Sequence, residues 1–234
     1  MAVRIDVKGQ IVESGNDWVY DWLGIENTSP KKILKALQEA GGEDIEIHIN
    51  SPGGSIYAGS EIYTELRAYE GKKTIKITGI AASAASVIAQ AGDSEISPTG
   101  MFMIHNVQTR ASGDYRDMDN TSDSLRAANQ SIINAYMDKT GMESRELQEL
   151  MDRETYLSAQ QAVEYGFVDR VMFSENAQAM YNGFGMLTNE AIDKLRNMIK
   201  NPDQKDPDFL ISQKQAATRL RLLNLKGEYS NDKD

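Results

Sequence analysis

Two side chains in this sequence have the chemistry of a hydroxyl nucleophile and its base. The first is Ser83, within Thr78-Gly79-Ile80-Ala81-Ala82-Ser83-Ala84-Ala85-Ser86-Val87. The run before it, Lys73-Thr74-Ile75-Lys76-Ile77-Thr78, alternates as a strand does, and the small residues up to Gly92 tolerate a helix. A serine at a strand-to-helix junction meets the positive end of the helix dipole and its outward N–H groups. Alanine and glycine around it let two backbones approach closely and leave room for a substrate chain. A nucleophilic serine needs exposure, a nearby base and amide donors for an oxyanion. The same stretch equally fits a Gly/Ala/Ser helix start packed under a sheet.

The second is His105. The run Met101-Phe102-Met103-Ile104-His105-Asn106 is apolar enough for a buried strand and delivers His105 at its carboxyl end. A histidine in that place also fits a hydrogen-bonded core residue. The only other histidine, His48, lies mid-strand in Asp44-Ile45-Glu46-Ile47-His48-Ile49-Asn50, facing solvent or packed beneath a helix. His105 is the one credible base.

Composition narrows the classes. A net charge of −10 argues against a nucleic-acid grip or an anionic membrane surface, both of which require basic patches. The absence of cysteine excludes disulfides, thiol catalysis and Cys-ligated zinc, and permits a cytoplasmic home. With two histidines, a His-rich metal site is not expected. No apolar run reaches signal-peptide or transmembrane length, so a soluble interior protein is expected.

Those side chains need elements to hold them. Alternation at Val3, Ile5, Val7 and Ile11 predicts one or two short strands in residues 1–27. Ser29-Pro30 caps a helix that Gly41-Gly42 ends, with Ile33, Leu34, Leu37 and Ala40 as its apolar face. The strand at 44–50 then runs into Asn50-Ser51-Pro52-Gly53-Gly54-Ser55, read as a turn before a helix that stops at Gly71. A glycine pair between a strand and a helix is where an α/β fold exposes backbone N–H groups to a ligand; it also fits a plain tight turn. Repeated strand–loop–helix order implies neighbouring parallel strands.

Residues 107–120 read as a polar surface loop, followed by helices at 121–140 and from Ser144 to Met151. A short strand, Glu154-Thr155-Tyr156-Leu157, leads into a capping box at Ser158 and Gln161, and 167–171 is a last strand. Composition changes near Ser174. We expect residues 1–173 to be one α/β domain and 174–234 an extension of short helical segments joined by flexible linkers.

Four motifs occur in order: Asn50-Ser51-Pro52-Gly53-Gly54-Ser55; Gly79-Ile80-Ala81-Ala82-Ser83-Ala84-Ala85; Met103-Ile104-His105-Asn106; and Leu157-Ser158-Ala159 with Ala162-Val163-Glu164-Tyr165-Gly166-Phe167-Val168-Asp169. Together they resemble the proteolytic subunit of the Clp protease family, over roughly residues 40–172. The resemblance implies a crotonase-like α/β fold, a superhelix of repeated β-β-α units, and serine endopeptidase activity through a Ser-His-acid triad. It makes Ser83 the nucleophile and His105 the general base, with Gly54 and Ala84 donating the oxyanion-hole N–H groups. Where the family has its aspartate, this chain has Glu154; Asp152 is the second candidate, because an extended 152–157 would point both carboxylates the same way. No metal or cofactor is expected. The resemblance implies a peptide or protein substrate and a homo-oligomeric ring, with helices 121–140 and 144–151 at the ring-to-ring handle. An ATPase partner is left open.

Three departures set the chain apart: a shorter Ser83–His105 segment, no clear counterpart of the family's N-terminal segment in residues 1–27, and the tail after 174. With the Glu-Thr-Tyr form of the acid motif, these are similar to the Clp-type proteases of phages and prophages that process capsid or scaffold proteins. That likeness places the chain in the host cytoplasm or at the prohead. Two other readings stand beside it: a crotonase-type acyl-CoA enzyme, and a catalytically inactive assembly subunit.

Overall fold

Alternating Ile45, Ile47 and Ile49, and again Ile75 and Ile77, give two strands that each bury one complete apolar edge, and the sheet is built around them. A computed structural model describes residues 2–173. The order is β1 (Val3–Ile11), α1 (Asp17–Trp22), β2 (Asn27–Thr28), α2 (Pro30–Ala40), β3 (Ile45–Gly54), α3 (Ile56–Ala68), β4 (Lys73–Ala82) and α4 (Ala84–Ile88). After a 3-10 turn at Ala89–Ala91 come β5 (Asp93–Ile96), β6 (Met101–Ile104), α5 (Tyr115–Thr140), α6 (Ser144–Asp152), β7 (Thr155–Ser158), α7 (Ala159–Glu164) and β8 (Arg170–Val171).

Strands β2-β1-β3-β4-β5-β8 run parallel, as strand–helix–strand crossovers require. Strand β4 serves two neighbours. Its first half, Thr74–Ile77, pairs with β5; its last residues, Ile80–Ala82, pair with β6, also in parallel. Strand β7 closes that corner antiparallel to β6. The chain thus adopts the α/β architecture expected from its sequence. Phe102 and Phe167 stack at 5.3 Å, with Tyr136 edge-on to Phe167, and fasten α5 to the corner where β4 changes partners.

Local signals hold where the backbone chemistry is explicit. Ser29 accepts the Lys32 N–H at the start of α2, and Gly41 ends that helix at φ 59°. Ser158 and Gln161 form the expected capping box. Several expectations are corrected. Leu34 is exposed, so the buried stripe of α2 is Ile33, Leu37 and Ala40. Helix α5 begins at Tyr115 rather than 121, because Asp114 and Asp117 build a capping box inside the polar stretch. Residues 12–27 hold α1, too short to show a helical period. Ser51-Pro52-Gly53-Gly54 continues β3 with a register shift instead of turning away. Residues 152–154 are not extended: Asp152 ends α6, and Glu154 is left-handed at φ 47°. The expected extension at 174–234 lies outside the described residues. Among the described residues, no helix is long and apolar enough to cross a membrane.

Candidate active site

Ser83 follows β4 directly and precedes the first residue of α4, with φ 55° and ψ −124°. A non-glycine residue in that region is strained and persists only where its surroundings over-determine it. They do so on every side. The Ser83 N–H donates to Met103 O on β6. Its carbonyl accepts from the Ser86 N–H and from Ser86 Oγ, at 2.6 Å for the latter. Ser86 Oγ in turn meets the Tyr136 hydroxyl in the interior. Ser83 makes no side-chain cap to α4, so its hydroxyl is free for another partner.

That partner is His105, whose Nε2 lies 2.7 Å from Ser83 Oγ. Register explains the meeting. Ala82 pairs with Met103 across β4 and β6, so the first residue past β4 and the first past β6 emerge at the same edge. His48 is not involved; it stays on β3 beside Glu46, at 3.4 Å.

The glycine pair lies against the same junction. A Cβ on Gly53 would fall 2.7 Å from Ser83 Cβ and 3.0 Å from the Ala84 nitrogen. A Cβ on Gly54 would fall 2.1 Å from Ile11 O. Only glycine lets β3 pass that close to β1 and to the serine turn. Gly54, Ser83 and His105 line one open cleft of about 790 Å³, with Ile56, Leu125 and Ile132 supplying apolar wall from α3 and α5. Ala84 is fully buried behind Ser83 as the first residue of α4.

The acid candidates separate. Glu154 Oε1 accepts from Gln108 Nε2 at 2.9 Å, and that same nitrogen stands 3.3 Å from His105 Nδ1. Asp152 Oδ1 accepts from Asn106 Nδ2 and Gln148 Nε2. Those two hydrogen bonds, Asn106 first, hold the Asp152 carboxyl below its usual value. Asp152 is thus engaged with the residue after the histidine, while Glu154 approaches the ring through Gln108. Two amides add to this set: Asn129 donates to Asn106 Oδ1 and accepts the Val107 N–H, and Gln148 also donates to Asn106 Oδ1. Sequence reading missed Gln108, Asn129 and Gln148. The only trace was the i, i+4 spacing of Gln148 and Asp152 on α6. Among the described residues, no three His, Asp or Glu side chains cluster to hold a metal ion.

The model of one family, the Clp protease family, matches residues 25–175, well over half of the chain. This chain belongs to the Clp protease family. Relatives that carry the name ATP-dependent Clp protease proteolytic subunit include the following three, two of them as subunit 1. The Bacteroides fragilis protein is 32% identical over 152 residues, covering 64% of this chain and 73% of its own. The subunit 1 of Chlamydia muridarum is 31% identical over 151 residues, covering 62% and 79%. The subunit 1 of Salinibacter ruber is 30% identical over 159 residues, covering 67% and 68%. The Clp protease match spans every element from β2 to β8, so both halves of the Ser83–His105 corner fall inside it.

Proposed function

We propose that this chain is a serine endopeptidase of the Clp type, with Ser83 as nucleophile, His105 as general base and Glu154 as the acid that orients the histidine. The observation that carries the reading is the 2.7 Å contact between Ser83 Oγ and His105 Nε2 at a strained strand-to-helix turn. In the reaction, Ser83 Oγ attacks the scissile carbonyl as its proton passes to His105 Nε2. The carbonyl oxygen becomes an oxyanion, stabilised by the N–H groups of Gly54 and Ala84. His105 then gives the proton to the leaving amine, and water, activated by the same ring, hydrolyses the acyl-enzyme. The Ile56–Leu125–Ile132 wall suits an apolar stretch of peptide beside the reacting bond.

The finer reading is a phage or prophage enzyme that processes capsid or scaffold proteins as a homo-oligomeric ring in the host cytoplasm or at the prohead, with α5 and α6 at the ring-to-ring contact. It draws on the Glu154-Thr155-Tyr156 acid motif and the short Ser83–His105 segment. The reading of an inactive assembly subunit draws on one observation, the amide of Gln108 standing between His105 and Glu154.

One experiment separates them. Wild-type chain should hydrolyse short peptides and take up a fluorophosphonate at Ser83, and Ser83→Ala should do neither. Equal rates for the two proteins would sink the peptidase reading. A monomeric mass in sedimentation would remove the ring, and a gene lying outside a block of capsid and portal genes would count against the phage role.

A further inference from the structure

The amide nitrogen of Gln108 faces Glu154 Oε1 at 2.9 Å and His105 Nδ1 at 3.3 Å. An amide nitrogen carries two hydrogens and accepts none, so it donates in both directions. Turning the amide over would set its oxygen 2.9 Å from a carboxylate oxygen, acceptor against acceptor. His105 Nδ1 is therefore an acceptor here, and a neutral ring that accepts at Nδ1 carries its proton on Nε2. That proton points at Ser83 Oγ, 2.7 Å away. A nitrogen already holding a proton takes none from a serine. The productive tautomer is the other one, with the proton on Nδ1 facing an acid and the lone pair on Nε2 facing the hydroxyl.

We propose that Gln108 is a latch: a positioning residue that holds His105 in the resting tautomer and is displaced when a peptide chain enters the cleft. The proposal rests on the serine-peptidase reading above. Gln108 stands where such a device must stand. Its side chain lines the same cleft as Ser83 and Gly54, so an incoming chain competes for its space. The histidine end of the β6–α5 connection is pinned, Asn106 and Val107 being held by Asn129, Gln148 and Asp152. From Gln108 to Asn120 every residue is exposed. A rotamer change of one exposed side chain is enough to free Nδ1. Glu154 then loses its amide donor and accepts from Nδ1–H instead. The proton balance closes: Nε2 gives one proton to solvent, Nδ1 takes one, and the ring stays neutral.

The test uses the full-length chain. Nitrogen-15 spectra of the imidazoles distinguish the two tautomers, and a His48→Gln protein assigns the His105 signals. The wild type should show neutral His105 protonated at Nε2. Gln108→Leu should move the proton to Nδ1 and speed fluorophosphonate labelling of Ser83 on the order of tenfold, as a larger fraction of molecules becomes competent. Gln108→Glu places an acceptor beside Nδ1 and should restore labelling to Glu154→Ala, a rescue that loop packing alone would not give. A wild-type ring already protonated at Nδ1, or Gln108→Leu labelling no faster than wild type, overturns the latch and leaves the peptidase reading intact. No Ser83-dependent labelling in the wild type, Gln108→Leu or Gln108→Glu overturns the peptidase reading and the latch with it.

Discussion

The Tyr136 hydroxyl meets Ser86 Oγ at 2.8 Å in the interior, and Ser86 Oγ in turn donates to the carbonyl of Ser83. The long helix α5 is thereby tied, through two hydroxyls, to the backbone of the candidate nucleophile. Ser86→Ala strands the buried Tyr136 hydroxyl, at about 1–3 kcal/mol, while Tyr136→Phe removes one hydrogen bond, at about 1 kcal/mol, and leaves Ser86 Oγ donating to Ser83 O. Ser86→Ala and Tyr136→Phe should each lower the urea midpoint at pH 7. Their double variant should lose less than the sum, since both break one network. Additive losses would show that the two hydroxyls act separately.

The same tyrosine sets an alkaline limit. Burial, against a smaller opposing effect of the Ser86 hydrogen bond, raises its pKa far above the usual 10.0. The folded state therefore keeps this proton at pH values where the unfolded chain loses it. Its contribution is whole below pH 10 and declines above, by up to about 1.4 kcal/mol per pH unit. Tyr136→Phe should flatten the fall of the urea midpoint between pH 10 and 11.5 relative to wild type.

Glu154 and Asp152 should separate in kinetics. Glu154→Ala removes the carboxylate proposed to orient the histidine, and the loss in kcat should approach the roughly 10⁴-fold penalty of a wrong histidine tautomer. Asp152→Ala removes only the partner of Asn106 and Gln148, and should change kcat by less than about tenfold. Steady-state rates on one peptide decide it. Equal losses would mean that the two acids share the role.

Gly53 should tolerate no side chain. Alanine there would put a methyl 2.6 Å from Ala82 O and 2.7 Å from Ser83 Cβ, at φ +98°. Gly53→Ala should lower the urea midpoint by more than the about 1–3 kcal/mol of ordinary overpacking and abolish Ser83 labelling. Wild-type labelling in a folded Gly53→Ala protein would refute the close approach.

Asp169 should govern stability in acid. Burial works to raise its pKa, but the Lys139 ammonium and the Ser94 N–H and hydroxyl outweigh it, and the carboxyl is held below its usual value of 3.8. The stabilisation is present above pH 3.8 and is lost as pH falls through the lower folded value. Because 41% of the side chain is exposed, Asp169→Asn should cost only about 1 kcal/mol at pH 7. The gap from wild type should narrow below pH 3.8, as urea midpoints at pH 3 and 7 would show.

Much of the fold was open to sequence reading because its signals are local. Ser29-Pro30, Gly41 and the Ser158–Gln161 box act through the backbone within a few residues, and Ile45, Ile47 and Ile49 declare a buried edge by alternation alone. Where burial depended on a neighbour, the pattern misled: Leu34 has the right spacing for the core and is exposed, with no element over it among the described residues. Short α1 gave too few residues for a period to register.

The site divides in the same way. Residue types and order pointed to Ser83, His105 and the glycine pair, and the family resemblance added a carboxylate at Glu154 or Asp152. Only the tertiary structure decided what touches what. The parallel register of β4 and β6 brings the His105 imidazole to the Ser83 hydroxyl, 22 residues away in the chain. The left-handed turn at Glu154 then sends the two carboxylates to different partners and admits Gln108 between Glu154 and His105. Hydrogen bonds of that kind depend on distances set by strand pairing and helix ends, which no pattern along a single chain encodes.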